Sequence, residues 1–260
     1  MNGSSAQGPR VDVLLEGFGI GTNAGRAAFC AVILIEGRDA RGELTRIVVD
    51  PAHVGRRTFL AGSLASRGLT PADIDMVVLT HGHWDHMQNV DVFGQVPVCM
   101  HPVERRYCYQ PHPNDWATPG WTGAILDRMN VREIEDGDEL IPGVGIVSLP
   151  GHTVGSIGIT VANGQGVSLI SGDALHSAPV ALSRQAPLVF GDPDDAAASI
   201  GRAVALADVI YPGHDQAFRL TSGRDVEYVR PFSLVITGIS PDRPGLSFDP
   251  SRPQPWVMPR

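Results

Sequence analysis

Cysteines are scarce in this sequence and are not grouped. Cys30, Cys99 and Cys108 are an odd number at unrelated spacings, so neither a disulfide framework nor a zinc knuckle is predicted. Long apolar runs are also missing. No stretch approaches the roughly 20 apolar residues of a membrane span, and the N-terminal residues lack the charged start and apolar core of a signal peptide. We therefore expect a cytoplasmic protein that does not enter a membrane.

An excess of positive charge is absent too. Lysine and arginine together number 20 against 28 aspartates and glutamates, which gives a formal net charge of −8. This balance disfavours a broad electrostatic grip on nucleic acid, although it leaves room for a local basic patch. Apolar residues make up 43% of the chain and charged residues 18%, which is typical of a globular protein with a sizeable core. A small molecule is the expected partner.

The chain shows no internal linker. At 260 residues it could hold two average domains, but α/β folds of this length are often a single unit, and no linker-like stretch divides the middle. We predict one domain over residues 11–239. Residues 1–10 are small and polar, and residues 240–260 contain six prolines, so both ends are predicted to be tails.

Apolar and β-branched runs predict two β-rich halves. The predicted strands are 11–15, 29–36, 47–50, 76–79, 96–100, 144–149, 156–161, 167–171 and 209–211, with a Gly- and Asn-rich turn between the first two. The predicted helices are 53–66 and 194–207. Residues 107–121 are dense in Tyr, Trp, Pro and His without periodicity, which indicates a loop. This order of elements is typical of two mixed sheets covered by helices.

A cluster of polar side chains stands directly after the apolar run 76–79. His81, His83, Asp85 and His86 fall within six residues, ahead of an apparent helix. In an extended chain His81 and His83 point the same way, while Asp85 and His86 address a second position nearby. Imidazole and carboxylate are ligands that zinc accepts. A single histidine here would be interpreted as a surface or capping residue, but packing gives no reason for four such side chains after a buried strand.

Five motifs in order resemble those of the metallo-β-lactamase superfamily. The His-x-His-x-Asp-His signature is preceded by Asp50 at a strand end and followed by Pro150-Gly151-His152-Thr153-Val154-Gly155-Ser156, Ser171-Gly172-Asp173 and Tyr211-Pro212-Gly213-His214. The resemblance spans about residues 11–220. It implies a four-layer αβ/βα sandwich, in which two mixed sheets are flanked by helices.

The resemblance also implies a binuclear metal site. The first metal would bind His81, His83 and His152, the second Asp85, His86 and His214, and Asp173 would bridge them. Asp50 would orient a ligand histidine or its loop without binding metal. Two divalent ions are expected, with zinc as the first expectation and manganese or iron as alternatives.

The implied reaction is hydrolysis. Coordination lowers the pKa of a bridging water, so that a metal-bound hydroxide attacks a carbonyl or phosphoryl centre while the metals polarise the substrate oxygen. Asp85 and Asp173 are the implied catalytic carboxylates, and Asp85 would also steer the nucleophile or shuttle a proton. An ester, thioester or lactone of a small metabolite is the first expectation, because the aromatic, net-acidic chain suits a neutral or apolar acyl group.

Other functions stay open at this point. A phosphodiesterase or ribonuclease of the same fold is the alternative, since residues 205–214 with Asp192-Pro193 resemble the small metallo-β-lactamase domain-containing subgroup. Glyoxalase II is disfavoured because too little sequence follows His214 for its helical substrate domain. A mononuclear iron dioxygenase and a non-catalytic binding module are further alternatives, which the complete ligand set disfavours.

Five residues are candidate substrate contacts: Trp84, His112, Trp116, Trp121 and His176. The aromatic loop 107–121 would form a wall or lid over the metals, or else pack on the body or form a homodimer contact. His176 lies three residues beyond Asp173 and is either a substrate contact or a residue of the following loop. His53 and His101 are interpreted as structural.

Overall fold

The computed structural model describes residues 8–22, 25–221, 225–230, 233–236 and 246–248. The strands are, in chain order, β1 (Arg10–Leu15), β2 (Phe18–Thr22), β3 (Gly25–Phe29), β4 (Val32–Arg38), β5 (Leu44–Val49), β6 (Met76–Val78), β7 (Pro97–Met100), β8 (Asn130–Glu133), β9 (Glu139–Ile141), β10 (Val144–Ser148), β11 (Ile157–Asn163), β12 (Gly166–Gly172), β13 (Val209–Pro212), β14 (Phe218–Thr221), β15 (Asp225–Tyr228), β16 (Leu234–Ile236) and β17 (Leu246–Phe248). The α-helices are α1 (Arg57–Ala65), α2 (Trp84–Met87), α3 (Pro102–Tyr107), α4 (Thr122–Leu126), α5 (Ala178–Ser183) and α6 (Pro193–Leu206). Four 3₁₀ turns lie at Val54–Arg56, Pro71–Asp73, Val90–Phe93 and Asp173–Leu175.

Two mixed sheets contain most of these strands. The first has the order β1-β4-β5-β6-β7-β8, antiparallel from β1 to β5 and parallel from β5 to β8. The second has the order β15-β14-β13-β12-β11-β10-β9, in which only the pair β12–β13 is parallel. Strands β2 and β3 form a separate hairpin, and β16 pairs with β17.

Alternate residues of the first sheet pack on opposite sides. Leu34 of β4 and Val48 of β5 pack with Leu60 of α1, while their neighbours Ile33 and Ile47 pack against the second sheet. Both faces of these strands are therefore buried, which is why their sequence is an almost continuous apolar run. The outer face of the second sheet is covered by α5 and α6, and helix α6 begins at Pro193 behind an Asp192 cap that accepts two backbone N–H groups. The resulting order of helix, sheet, sheet and helix confirms the predicted fold class.

Some predicted boundaries were wrong. The predicted strand 29–36 is divided, because β3 ends at Phe29 and β4 begins at Val32. The Gly-rich stretch predicted as a turn contains the hairpin β2–β3, in which Phe18 pairs with Phe29 and their rings stack 4.4 Å apart. The predicted helix 53–66 is a 3₁₀ turn followed by α1.

The tails and the single domain remain predictions. Of the predicted tails 1–10 and 240–260, residues 8–10 and 246–248 are described and the rest lies outside the described residues; Arg10 begins β1 and 246–248 form β17. Among the described helices, none combines the length and apolarity that crossing a membrane requires.

Candidate metal centre

The predicted ligands come from strand ends that meet at one edge of the sandwich. Asp50 follows β5, residues 81–86 follow β6, Asp173 follows β12 and His214 follows β13, while His152 lies between β10 and β11. Because β5 and β6 are parallel, and β12 and β13 likewise, their carboxyl ends point the same way. The fold thus brings together side chains that are more than 130 residues apart in sequence.

Four of these side chains form a first ligand group. The potential ligand atoms of His81, His83, His152 and Asp173 all lie within 4.8 Å of one another, and all four residues are buried. His83 Nδ1 lies 3.0 Å from His152 Nε2, and Asp173 Oδ2 lies 3.6 Å from His152 Nε2. Three imidazoles and a carboxylate are a donor set that zinc accepts.

A second ligand group adjoins the first. The potential ligand atoms of Asp85, His86 and His214 also lie within 4.8 Å of one another. Asp173 contacts this group as well, since its Oδ1 lies 3.2 Å from His86 Nε2 and its Oδ2 lies 3.1 Å from His214 Nε2. Asp173 is therefore placed between two potential cation sites, where its negative charge would offset the repulsion of two cations.

Both ligand groups contain buried polar atoms that lack a hydrogen-bond partner among the described residues. Buried polar atoms normally have a partner, because leaving one unpaired costs about 1–3 kcal/mol. Several buried atoms here have no hydrogen-bond partner among the described residues: His81 Nε2, Asp85 Oδ2, His86 Nε2 and Asp173 Oδ1. These unpaired atoms belong to the ligand groups, so cations bound there would supply the missing interactions.

The outer nitrogens of four histidines are held in place. In the second group, His86 Nδ1 lies 2.8 Å from Asp50 Oδ2. In the first group, His81 Nδ1 lies 3.0 Å from Thr80 Oγ1, and His83 Nε2 lies 3.4 Å from Asp115 Oδ2. The third histidine of that group, His152, has its Nδ1 3.0 Å from the Leu188 carbonyl oxygen. An acceptor at the outer nitrogen places the ring proton there and leaves the inner nitrogen free to bind metal.

Asp50 connects both groups. Its Oδ1 accepts a hydrogen bond from the backbone N–H of Thr80 at 2.8 Å, and its Oδ2 accepts one from Thr80 Oγ1 at 2.7 Å in addition to the contact with His86. The Thr80 hydroxyl donates to Asp50, so its oxygen accepts from His81. Asp50 therefore lies behind one histidine of each group, the orienting position that the resemblance implies.

Sequence reasoning missed Asp115. This carboxylate is 6% exposed and accepts hydrogen bonds from Tyr107 Oη at 2.8 Å and from Thr118 Oγ1 at 2.8 Å, besides facing His83. It also accepts from the backbone N–H of Ala117 at 2.8 Å. Asp115 thus fixes the aromatic loop 107–121 by hydrogen bonds and also contacts the candidate ligand His83.

Glu104 was missed as well. Its side chain is completely buried, and it accepts hydrogen bonds from Gly82 N at 2.8 Å, Thr153 Oγ1 at 2.7 Å and Gly155 N at 3.0 Å. Burial raises the pKa of this carboxyl. A Cβ at Gly155 would collide with the Glu104 backbone, so the glycine permits this approach. Glu104 ties the loop that contains His83 to the loop that contains His152.

The two groups perturb histidine pKa values in opposite directions. Burial lowers the pKa of His81 and His152 well below the ordinary 6.5, which keeps both rings neutral. Burial has the same tendency at His86 and His214, but there Asp173, Asp85 and the other negative groups nearby together outweigh it, and the pKa is raised. A metal that binds the second group must therefore displace protons from His86 and His214, whereas His81 and His152 of the first group are already neutral.

A cavity of about 310 Å³ opens above the second group. Asp85, Asp173, His176 and His214 line its polar floor. The remaining lining residues are small or apolar: Gly19, Ile20, Gly21, Ala27, Ala28, Trp84, Trp116, Ala117 and Leu188. The cavity therefore joins a polar floor of candidate metal ligands to apolar walls.

Three of the five candidate substrate contacts line this cavity: Trp84, Trp116 and His176. Burial lowers the pKa of His176 to about 4; its Nε2 lies 3.2 Å from Asp173 Oδ2, while its Nδ1 has no hydrogen-bond partner among the described residues. The structure does not bring His112 and Trp121 to the cavity, and both are exposed. His53 and His101 each accept a backbone N–H at the start of a helical turn, which is a structural role.

Several known proteins are similar to this chain in sequence. Metallo-beta-lactamase domain-containing protein 1 of Xenopus laevis is 33% identical over 215 residues, 81% of either chain. The Homo sapiens protein of that name is 30% identical over 181 residues, which cover 67% of this chain but 59% of its own length. An N-acyl homoserine lactonase of Bacillus thuringiensis is 27% identical over 153 residues, 57% of this chain and 58% of its own.

Solved structures share the fold. An N-acyl homoserine lactone hydrolase with its product bound at the catalytic metal centre superposes with a TM-score of 0.61 at 20% identity, covering 81% of this chain and 94% of its own. A dizinc quorum-quenching lactonase superposes with a TM-score of 0.59 at 18% identity, covering 78% and 79%. The model of the family described as "Metallo-beta-lactamase superfamily" matches residues 25–214. This chain belongs to the metallo-beta-lactamase superfamily.

Proposed function

We propose that this protein is a binuclear metal-dependent hydrolase that cleaves an ester, thioester or lactone of a small metabolite carrying an apolar chain. The observation that carries the proposal is the cavity, whose polar floor is made of metal-binding side chains and whose walls are apolar. An acyl group would lie along the walls with its carbonyl at the floor. Such a pocket, mostly apolar with a few convergent polar groups, is typical of small-molecule sites.

Zinc is the proposed metal at both groups. Imidazole and carboxylate donors suit it, and one structure that shares the fold is described as a dizinc lactonase. Bound there, two divalent cations would supply Lewis acidity and a nucleophilic water at neutral pH.

The residues of the chain have distinct roles in this proposal. Asp173 would hold both cations in place from between the two groups. Asp85 lines the cavity with a buried, unpaired Oδ2, so it can accept a proton from the attacking water. His176 also faces the cavity and can donate a hydrogen bond to the substrate. The apolar walls would exclude bulk water and strengthen these polar interactions.

The cavity disfavours the phosphodiesterase alternative. None of its lining residues is a lysine or an arginine, whereas proteins that bind a phosphate backbone neutralise it with such side chains. The iron dioxygenase alternative needs only one metal and gives no reason for the second ligand group.

The metal content tests the proposal first. Protein expressed without added metal is analysed by elemental mass spectrometry beside His86→Ala and His214→Ala. We expect two zinc ions per chain in the wild type and one in each variant, followed by hydrolysis of esters, thioesters or lactones but not of phosphodiesters. A single iron ion that both variants retain would overturn the binuclear proposal. Phosphodiester cleavage without ester or lactone cleavage would overturn the substrate class.

A further inference from the structure

The hairpin β2–β3 forms one wall of the cavity. Its lining residues are Gly19, Ile20, Gly21, Ala27 and Ala28. In the described part of the chain β2 pairs with β3 and with no strand of either large sheet. The position of this wall therefore depends on what holds the two ends of the hairpin.

Arg56 holds both ends. Its side chain is 8% exposed, and its Nη1 donates a hydrogen bond to the Cys30 carbonyl oxygen at 2.6 Å while its Nη2 donates one to the Glu16 carbonyl oxygen at 3.0 Å. Glu16 precedes β2 and Cys30 follows β3. One planar guanidinium thus joins the chain entering the hairpin to the chain leaving it.

The same guanidinium packs on the first residue pair of the hairpin. Its Cζ lies 5.9 Å from the ring centroid of Phe18 and 5.6 Å from that of Phe29, distances at which a cation attracts an aromatic ring. The aromatic contacts continue from Phe29 to His53 and from His53 to Trp84, each at 5.2 Å between centroids. The hairpin wall and the Trp84 wall are therefore connected.

Packing alone does not explain an arginine at this place. A buried charge is costly unless it is hydrogen-bonded, and a methionine would fill a similar volume without that cost. Besides attraction to the nearby Glu16 carboxylate, the guanidinium adds the two carbonyl contacts and the two ring contacts.

We propose that Arg56 is a positioning residue for the substrate: by joining the ends of the β2–β3 hairpin it fixes the distance between this wall and the second ligand group, and so sets the affinity for the apolar chain of the substrate. This inference rests on the proposed function, because it assumes a substrate whose apolar chain lies along the wall while its carbonyl reacts at the floor.

The test compares Arg56→Met and Arg56→Lys with Arg57→Met. Arg57 is the adjacent arginine and contacts Asn89 and Asp91, so its variant is a matched control. Each protein is assayed on two lactones, one unsubstituted and one with a long alkyl chain. For Arg56→Met we expect KM for the alkyl lactone to rise about tenfold, within the range for altered apolar pocket contacts, with kcat, metal content and the unsubstituted lactone unchanged. Arg56→Lys should recover part of the affinity, and Arg57→Met should match the wild type.

Hydrogen exchange of the hairpin amides gives a readout that needs no substrate. We expect faster exchange in both Arg56 variants and no change in Arg57→Met. An equal loss on both lactones, or unchanged KM and unchanged hydrogen exchange in a folded Arg56→Met, would overturn the role of Arg56. If the wild type hydrolyses neither lactone nor any ester, the proposed function fails, and hydrogen exchange alone then decides whether Arg56 positions the hairpin.

Discussion

The two ligand groups are built differently although they share Asp173. In the first group each imidazole has an acceptor at its outer nitrogen: Thr80, Asp115 and the Leu188 carbonyl. In the second group His86 has Asp50, whereas the outer nitrogen of His214 is buried without a hydrogen-bond partner among the described residues. The first group is preorganised and enclosed, and the second faces the cavity. A cation would therefore be held more tightly at the first group than at the second.

Removal of Asp173 should have the largest effect, because both ligand groups lose the carboxylate that they share. Asp173→Ala takes the one anionic ligand from between two cations, and we expect loss of both metals and a fall in kcat/KM of about a thousandfold or more, several kcal/mol of transition-state stabilisation. Metal analysis and ester or lactone hydrolysis measure both losses. Asp194→Ala, an exposed aspartate in the first turn of α6, is the control. Retained turnover with two metals per chain would contradict the bridging position.

Variants of Asp50 and Asp115, the two carboxylates that contact the outer nitrogen of a ligand histidine, should distinguish the two ligand groups by a smaller effect. Asp50→Asn disturbs one histidine of each group, so we expect both metals to bind more weakly, at the upper end of the 10–100-fold range for such partners. Among the ligand histidines Asp115 contacts only His83, so in Asp115→Asn the first metal alone should bind more weakly, by about tenfold. Chelator titration followed by elemental analysis distinguishes the two patterns. Equal losses from both sites in Asp115→Asn would show that the groups are not independent.

As the pH falls, the second ligand group should lose its metal before the first group does. The raised pKa of His86 and His214 means that protons compete for the second group from above pH 6.5, while the lowered pKa of His81 and His152 keeps these two rings uncharged until below that value. Metal binding at the second group is therefore present above its raised pKa and is lost first as the pH falls. We expect stepwise dialysis across roughly pH 8 to 5, where histidine titrates, to leave one metal per chain before none. His214→Ala should show only the later step, and simultaneous loss of both metals in the wild type would refute the order.

Much of the candidate metal centre could be predicted from sequence because its motifs are local. His81 to His86 lie together, and the motifs around His152, Asp173 and His214 each keep a glycine beside the ligand. At Gly213 that glycine is required, since a Cβ would collide with the Asp173 carboxylate. The continuous apolar runs likewise predicted the strands that are buried on both faces.

The supporting side chains could not be predicted in the same way. Asp115 acts on a histidine 32 positions away, and Glu104 joins two loops that are 22 and 49 or more positions from it. Neither belongs to a motif, so only the folded chain shows their partners. The hairpin β2–β3 was missed because Gly19 and Gly21 indicate a turn, whereas the stacked pair of Phe18 and Phe29 at its base stabilises two strands.

The smallest expected effect concerns the wall above the second group. Trp116 is 61% exposed and lines the cavity, whereas Trp121 is 45% exposed and does not. Trp116→Ala should raise KM for an alkyl-substituted lactone about fivefold, since a chain would cover only part of the ring and bury area worth about 1 kcal/mol. Trp121→Ala should leave KM unchanged, and both variants should keep two metals, because neither ring contacts a ligand histidine's outer nitrogen. If Trp121→Ala had the larger effect, the substrate would approach over the other side of the loop, and the apolar walls of the cavity would no longer support the proposed substrate class.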